Sequence, residues 1–188
     1  MQTKKQSIIA DASSVFSRNT FALVIALVTS ILLARYLGPE GRGLYAVVLV
    51  YPSLLVGLAE LGIRSTTVYL IGNKEHSEKE IIGVLLWCLV ASSIISSVIV
   101  GGIFLYLNDP DISILMILLA LFYIPLKLTI SYSQGVFLGK EEIRRFNQLT
   151  WIPPVIVLIG VVLLVVIANL DVIGAMIATL AGNACIAY

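Results

Sequence analysis

Long apolar segments, separated by short charged or turn-forming stretches, make up most of this chain of 188 residues. A helix needs about 20 residues to cross the hydrocarbon core of a bilayer, whereas a membrane β-strand needs about 9–11 residues of alternating polarity. These segments are too long for barrel strands and show no two-residue alternation. The sequence therefore predicts an all-α, polytopic membrane protein of six transmembrane helices, over approximately residues 14–37, 43–72, 81–107, 112–138, 148–168 and 172–188.

The overall composition agrees with a membrane protein. Apolar residues make up 59% of the chain and charged residues only 12%, against about 25% charged in soluble domains. The net charge of +1 and the lack of a long basic block give no reason to expect a nucleic-acid partner. Cys88 and Cys185 both fall inside apolar segments, so neither a disulfide nor a metal framework is predicted.

The basic residues predict which way the chain crosses the membrane. Short loops rich in Lys and Arg stay in the cytoplasm. With the N-terminus inside, only Arg35 and Arg42 lie on the outer side, and the cytoplasmic side carries Lys4, Lys5, Arg18, Lys74, Lys79, Lys140, Arg144 and Arg145. We therefore expect a multi-pass protein of the cytoplasmic membrane, surrounded by membrane lipids, with a cytoplasmic N-terminus.

Lys127 lies near the middle of the fourth predicted helix. It is about 23 Å from the start of that helix and about 20 Å from Lys140, too far from either end for its ammonium to reach the interface easily. A charge at this depth costs at least about 2.5–3.5 kcal/mol unless water or a partner relieves it. Tyr123, Lys127, Ser131 and Gln134 share one helix face. Lys127 either lines a wet cavity with Tyr123 and Gln134 or pairs with a buried carboxylate that holds two helices together.

Two arginines are further candidates for a cavity. Arg18 and Arg35 are separated by only 16 residues, about 24 Å of helix, so one guanidinium must dip toward the apolar layer or snorkel out of it. Asp11 is also placed to pair with Arg18. Arg64 stands four residues after Glu60, which favours an interfacial ion pair and leaves open a place for Arg64 at a cationic cavity mouth.

Residues typical of catalysis do not cluster in the sequence. The segment from Gly38 to Gly43 lacks the Gly-Lys-Ser/Thr ending of a nucleotide loop, so it is interpreted as a turn. His76 is the only histidine and stands in a charged loop. No spacing suits a metal site or a Ser-His-Asp triad. We therefore expect a protein that is not an enzyme and has no cofactor.

Short motifs mark both ends of the first predicted helix and parts of the second. They are Phe16-Ser17-Arg18, the segment ARYLGPEGRGLY at 34–45, whose turn contains Arg35, Gly38, Gly41 and Gly43, and the segments YPS at 51–53 and AELG at 59–62. In these motifs and in its six-helix layout, the chain resembles the Wzx-type polysaccharide flippases of the multidrug/oligosaccharidyl-lipid/polysaccharide exporter superfamily.

The resemblance implies a fold and a function. Such proteins have two six-helix lobes around a cavity that opens alternately to each side, and they move a polyprenyl-pyrophosphate-linked oligosaccharide outward. The resemblance also implies that other envelope polysaccharide assembly proteins are partners of this chain. The last segment is short and ends without a basic flank, so we expect the chain to be the N-terminal lobe, with the C-terminal lobe missing.

The resemblance also gives site residues. Arg18 matches the arginine of the Phe-Ser-Arg entry motif in lipid II flippases, whose further arginines are replaced here by Val24 and the Val56-Gly57 region. This difference argues against lipid II as substrate and makes Lys127 a candidate replacement. The alternative is a cation-coupled multidrug exporter of the MATE type, for which the chain offers only Asp11 and Glu60 as membrane carboxylates.

Overall fold

The structure is a computed structural model that describes residues 2–60, 62–73 and 77–185, except for the side chains of residues 2–19, 143, 144 and 147. These residues form helices and no β-strand. The helices are α1 (Gln2–Ala59), α2 (Ile63–Asn73), α3 (Glu78–Leu107), α4 (Ile114–Gly139), α5 (Ile143–Val161), which continues as a π-helical segment (Val162–Ile167), and α6 (Asp171–Ala184).

Four helical stretches are long and apolar enough to cross a membrane: Thr20–Asn73, Glu78–Leu107, Ile114–Gly139 and Gln148–Ile167. The shorter α6 is also apolar. The protein is therefore a helical membrane protein, as the apolar segments predict. The first stretch has 54 residues, far more than the roughly 20 that one crossing needs, and it is bent at two glycines.

The first bend lies at Gly38, the one non-helical residue within α1 (φ 68°, ψ −177°). A positive φ favours glycine, which has no Cβ to clash with the backbone. It divides α1 into a first arm (2–37) and a second arm (39–59), and Pro39 suits the first turn of the second arm. The helix thus resumes before Gly43, where the second apolar segment was expected to begin.

The two arms of α1 fold back on each other. The Arg42 guanidinium donates hydrogen bonds to the Ser30 carbonyl (3.1 Å) and the Ser30 Oγ (2.7 Å). A straight helix would hold residues twelve positions apart at about 18 Å. Gly41 lies inside the bend, where a Cβ would come 3.2 Å from Leu37 Cβ, whereas a Cβ at Gly43 would meet nothing within 4 Å.

The second bend divides the segment predicted as one helix over 43–72. The second arm ends at Ala59, Gly62 has a φ of 79°, and α2 begins at Ile63. Glu60 and Arg64 therefore do not share a helix face, and no ion pair within 4 Å joins them in the described part of the chain. This corrects the expected i, i+4 pair.

Helix α4 lies at the centre of the bundle and contacts every other helix. Its residues Ala120, Ile124 and Leu128 are fully buried and belong to a core that includes Val48 of α1 and Val100 of α3. The spacing of four residues keeps the three side chains on one face. A second core cluster joins α1, the α5 segment and α6 around Leu33, Val161 and Ala178.

Helices α5 and α6 approach each other very closely at two glycines. A Cβ at Gly160 would lie 2.8 Å from Ala178 Cβ, and a Cβ at Gly182 would clash with Val157 Cγ2. Small residues allow helix backbones to pack at short range in membranes. The two helices therefore form one tightly packed wall of the bundle.

Candidate functional site

A cavity of about 570 Å³ lies between both arms of α1 and helices α4, α5 and α6. Among the lining residues that the structure describes, Arg42 and Lys127 are cationic and none is Asp or Glu. The uncharged polar residues of the lining are Thr29, Ser30, Tyr45, Tyr123, Gln134, Thr150, Thr179 and Asn183. This cavity therefore combines positive charge with several neutral polar groups on its described lining.

Helix α4 supplies three of the residues singled out from the sequence. Tyr123, Lys127 and Gln134 all line the cavity, as their spacing of four and seven residues allows. Ser131, which shares the spacing, is instead buried and is not part of the lining. The polar face of α4 is therefore directed at the cavity through three side chains.

The ammonium group of Lys127 makes no hydrogen bond and no ion pair within 4 Å to any described residue. Glu60 interacts with it electrostatically, but from beyond ion-pair distance. A half-buried lysine without a paired carboxylate keeps its three N–H donors available. Lys127 therefore presents to the cavity a cation that no described residue pairs with.

Arg42 is the second cation of the lining, and the sequence did not identify it as a site residue. Its place in the Gly38–Gly43 segment suggested a loop position, but the fold-back of α1 turns its guanidinium toward Ser30 and the cavity. Guanidinium has five N–H donors, of which Ser30 takes two. The remaining donors are available to an anion.

Tyr45, Thr179 and Asn183 form a hydrogen-bonded group on the lining, which was also missed. The Tyr45 Oη lies 2.9 Å from the Thr179 Oγ1, and the Asn183 Nδ2 donates to the Thr179 carbonyl at 2.7 Å. Thr179 and Asn183 stand four residues apart in an apolar helix, the one signal in the sequence that could have indicated them. Pairing with Tyr45 depends on the fold-back of α1, which local spacing does not reveal.

The other candidates lie elsewhere. Arg64 is not part of the lining; its guanidinium lies 5.6 Å from the centre of the Phe146 ring, a cation–π contact between α2 and α5. Arg35 is exposed. The side chain of Arg18 lies outside the described residues, so its predicted place at the cavity stays a prediction.

The lining has no set of side chains suited to a metal ion. Within the described residues, no three His, Cys, Asp or Glu side chains are grouped to hold one. What the cavity does offer is two cationic donors and several neutral hydroxyl and amide groups. Such a site suits an anion attached to a polar, uncharged group.

Comparison with known families gives one match. A family model described as "Polysaccharide biosynthesis protein" matches residues 8–188. No curated protein and no solved structure matches the chain significantly. The matched region includes every helix that lines the cavity.

Proposed function

Because the chain belongs to the polysaccharide biosynthesis protein family, which includes the Wzx-type flippases, we propose that it translocates a polyprenyl-pyrophosphate-linked oligosaccharide across the cytoplasmic membrane. In this proposal it forms one six-helix lobe of a two-lobe transporter and works by alternating access. Its N-terminus is cytoplasmic. It binds and moves its cargo without making or breaking covalent bonds.

The unpaired Lys127 ammonium is the observation that carries the proposal. An intramembrane charge costs several kcal/mol unless water or a counter-ion relieves it. Lys127 has no ion-pair partner among the described residues, so a pyrophosphate entering the cavity supplies the missing negative charge. Arg42 adds a second, permanent cation with forked donors that match phosphate oxygens.

A cation-coupled drug exporter finds less support in the same lining. Such coupling needs a membrane carboxylate to take up a proton or a metal cation. Glu60 is not part of the cavity, and the side chain of Asp11 lies outside the described residues. Two cations, with no carboxylate among the described lining residues, favour an anionic cargo over a cationic one.

Removing the charge of Lys127 tests the proposal. We expect Lys127→Ala to lower export of surface polysaccharide by about tenfold or more, because a charge-assisted hydrogen bond contributes about 1.5–3 kcal/mol. Lys127→Arg should retain part of the activity, since it keeps the charge. Export is measured by surface glycan staining in cells that carry the protein as their only flippase, with the amount of protein in the membrane measured in parallel.

Lys140→Ala is the matched control. Lys140 pairs with Glu78 at 2.6 Å, away from the cavity, so its loss removes a lysine without changing the lining. Export at the parent level by the double variant Lys127→Ala/Arg42→Ala, at normal abundance in the membrane, would rule out a cargo-binding role for these two cations.

A further inference from the structure

The tandem prolines of α5 leave one backbone carbonyl without its helical donors, at a residue that lines the cavity. In a helix, the carbonyl of Thr150 accepts from the N–H of residue 154, or from that of residue 153 in a tighter turn. Both positions are proline, Pro153 and Pro154, and proline has no N–H. The Thr150 carbonyl therefore lacks both of its normal helical donors, and Thr150, Pro153 and Pro154 all line the cavity.

The hydrogen bonds of α6 leave acceptors on the same wall. The Thr179 hydroxyl donates to the Ala175 carbonyl at 2.9 Å. Because its only hydrogen is used there, Tyr45 must be the donor in the 2.9 Å contact with Thr179 Oγ1. Tyr45 Oη is then left with acceptor capacity. Asn183 uses its amide nitrogen on the Thr179 carbonyl at 2.7 Å, and no hydrogen bond within the described residues uses its Oδ1.

We propose that this acceptor wall, formed by the Thr150 carbonyl, Tyr45 Oη and Asn183 Oδ1, binds the hydroxyl groups of the sugar carried by the lipid pyrophosphate. The inference rests on the proposed function and assigns a binding surface to the sugar, the second part of the same cargo. Phosphate oxygens are acceptors and need the donors of Lys127 and Arg42, whereas sugar hydroxyls can donate to neutral oxygens.

A small cation is the competing occupant of neutral oxygens. The same cavity holds Lys127 and Arg42, and its described lining residues include no carboxylate. A cation brought into this cavity is repelled by both side chains, and a medium of low dielectric strengthens the repulsion. A sugar hydroxyl carries no net charge and is not repelled in this way, so the acceptor wall favours a sugar over a small cation.

Restoring the missing N–H tests the acceptor wall. Pro154→Ala lets the N–H of residue 154 bond to the Thr150 carbonyl within the helix, and Asn183→Leu removes the amide at similar volume. Pro52→Ala is the matched control, because it changes another helical proline whose i−4 residue, Val48, is buried in the core away from the cavity.

Binding is measured with two probes, undecaprenyl pyrophosphate and the same lipid bearing a disaccharide of N-acetylglucosamine. A Trp87→Phe background leaves Trp151, next to Thr150, as the only tryptophan and as the fluorescence reporter. We expect the protein in lipid nanodiscs to bind the sugar-bearing lipid about fivefold or more tightly than the bare lipid. Pro154→Ala and Asn183→Leu should each reduce this preference severalfold, while Pro52→Ala should keep it.

The two proposals fail in different ways. If the bare lipid binds Lys127→Ala as tightly as it binds the parent protein, the proposed function is contradicted. If bare-lipid binding depends on Lys127 but the sugar preference survives both Pro154→Ala and Asn183→Leu, the acceptor wall is contradicted alone. A Trp151 response to NaCl over choline chloride that Asn183→Leu abolishes would assign the wall to a cation and overturn the inference.

Discussion

Gly160→Ala perturbs the closest contact between α5 and α6. The new Cβ would lie 2.8 Å from Ala178 Cβ and 3.1 Å from Ala178 Cα, whereas carbon atoms pack at about 3.5–4.0 Å. Both neighbouring atoms are fixed to the α6 backbone, so no rotamer change relieves the clash and the helices must separate by roughly 1 Å. Overpacking of this kind costs about 1–3 kcal/mol.

Gly102→Ala is the matched control for this substitution. Gly102 lies within α3, and a Cβ there would meet nothing within 4 Å. The gain in helix propensity on replacing glycine by alanine, about 1 kcal/mol, is similar at both positions and cancels in the comparison. We therefore expect the free energy of unfolding of Gly160→Ala to lie about 1–3 kcal/mol below that of Gly102→Ala, measured by SDS titration in mixed micelles.

A second substitution distinguishes the contact from a general effect on α5. Ala178→Gly removes the Cβ that the new side chain of Gly160→Ala meets. The double variant Gly160→Ala/Ala178→Gly should therefore recover part of the stability that the clash costs. The 3.1 Å approach to Ala178 Cα remains and prevents full recovery. Equal stability of Gly160→Ala and Gly102→Ala, or strictly additive effects of Gly160→Ala and Ala178→Gly, would refute the close helix contact.

Two further predictions concern the bends and ends of the helices. Gly38→Ala should lower the free energy of unfolding by about 1–3 kcal/mol, because Gly38 has a φ of 68° and a ψ of −177°, a conformation that is essentially restricted to glycine. Gly43→Ala should not lower it, because a Cβ there has open space. Thermal unfolding in detergent measures both variants. An equal effect at Gly43 would contradict the reasoning. Ser77→Ala should cost about 1 kcal/mol, because the Ser77 Oγ accepts from the Glu80 N–H at 3.3 Å and caps α3. Unchanged unfolding of Ser77→Ala, or an equal loss in Thr66→Ala on α2, would show that the cap does not contribute.

The middle of the chain was the most predictable from sequence. The segments expected over 81–107 and 112–138 differ by at most three residues at either end from α3 (Glu78–Leu107) and α4 (Ile114–Gly139). Charged and turn-forming residues border both apolar runs, so hydropathy alone locates the helix ends. The bend at Gly62 was missed because the apolar pattern continues through it, and a single glycine does not reveal its φ.

The site was predictable where it depends on one helix and not where it depends on several. The regular spacing of Tyr123, Lys127 and Gln134 indicates their common face, and all three line the cavity. Arg42 reaches the cavity only because α1 folds back at Gly38. No local pattern encodes that approach, since it depends on contacts between residues distant in sequence.

Under the proposed function, the two cations of the cavity, which stand on different helices, make the electrostatic cost of closing the cavity depend on its cargo. Lys127 stands on α4 and Arg42 on the second arm of α1, and both side chains line the cavity. A medium of low dielectric raises the electrostatic cost of holding two like charges in one cavity. Under the proposed function, a pyrophosphate that enters the cavity supplies the opposite charge and lowers this cost. Under the same proposal, closing the cavity around an anionic cargo costs less electrostatic free energy than closing it without one, so binding of the anion biases the proposed conformational change.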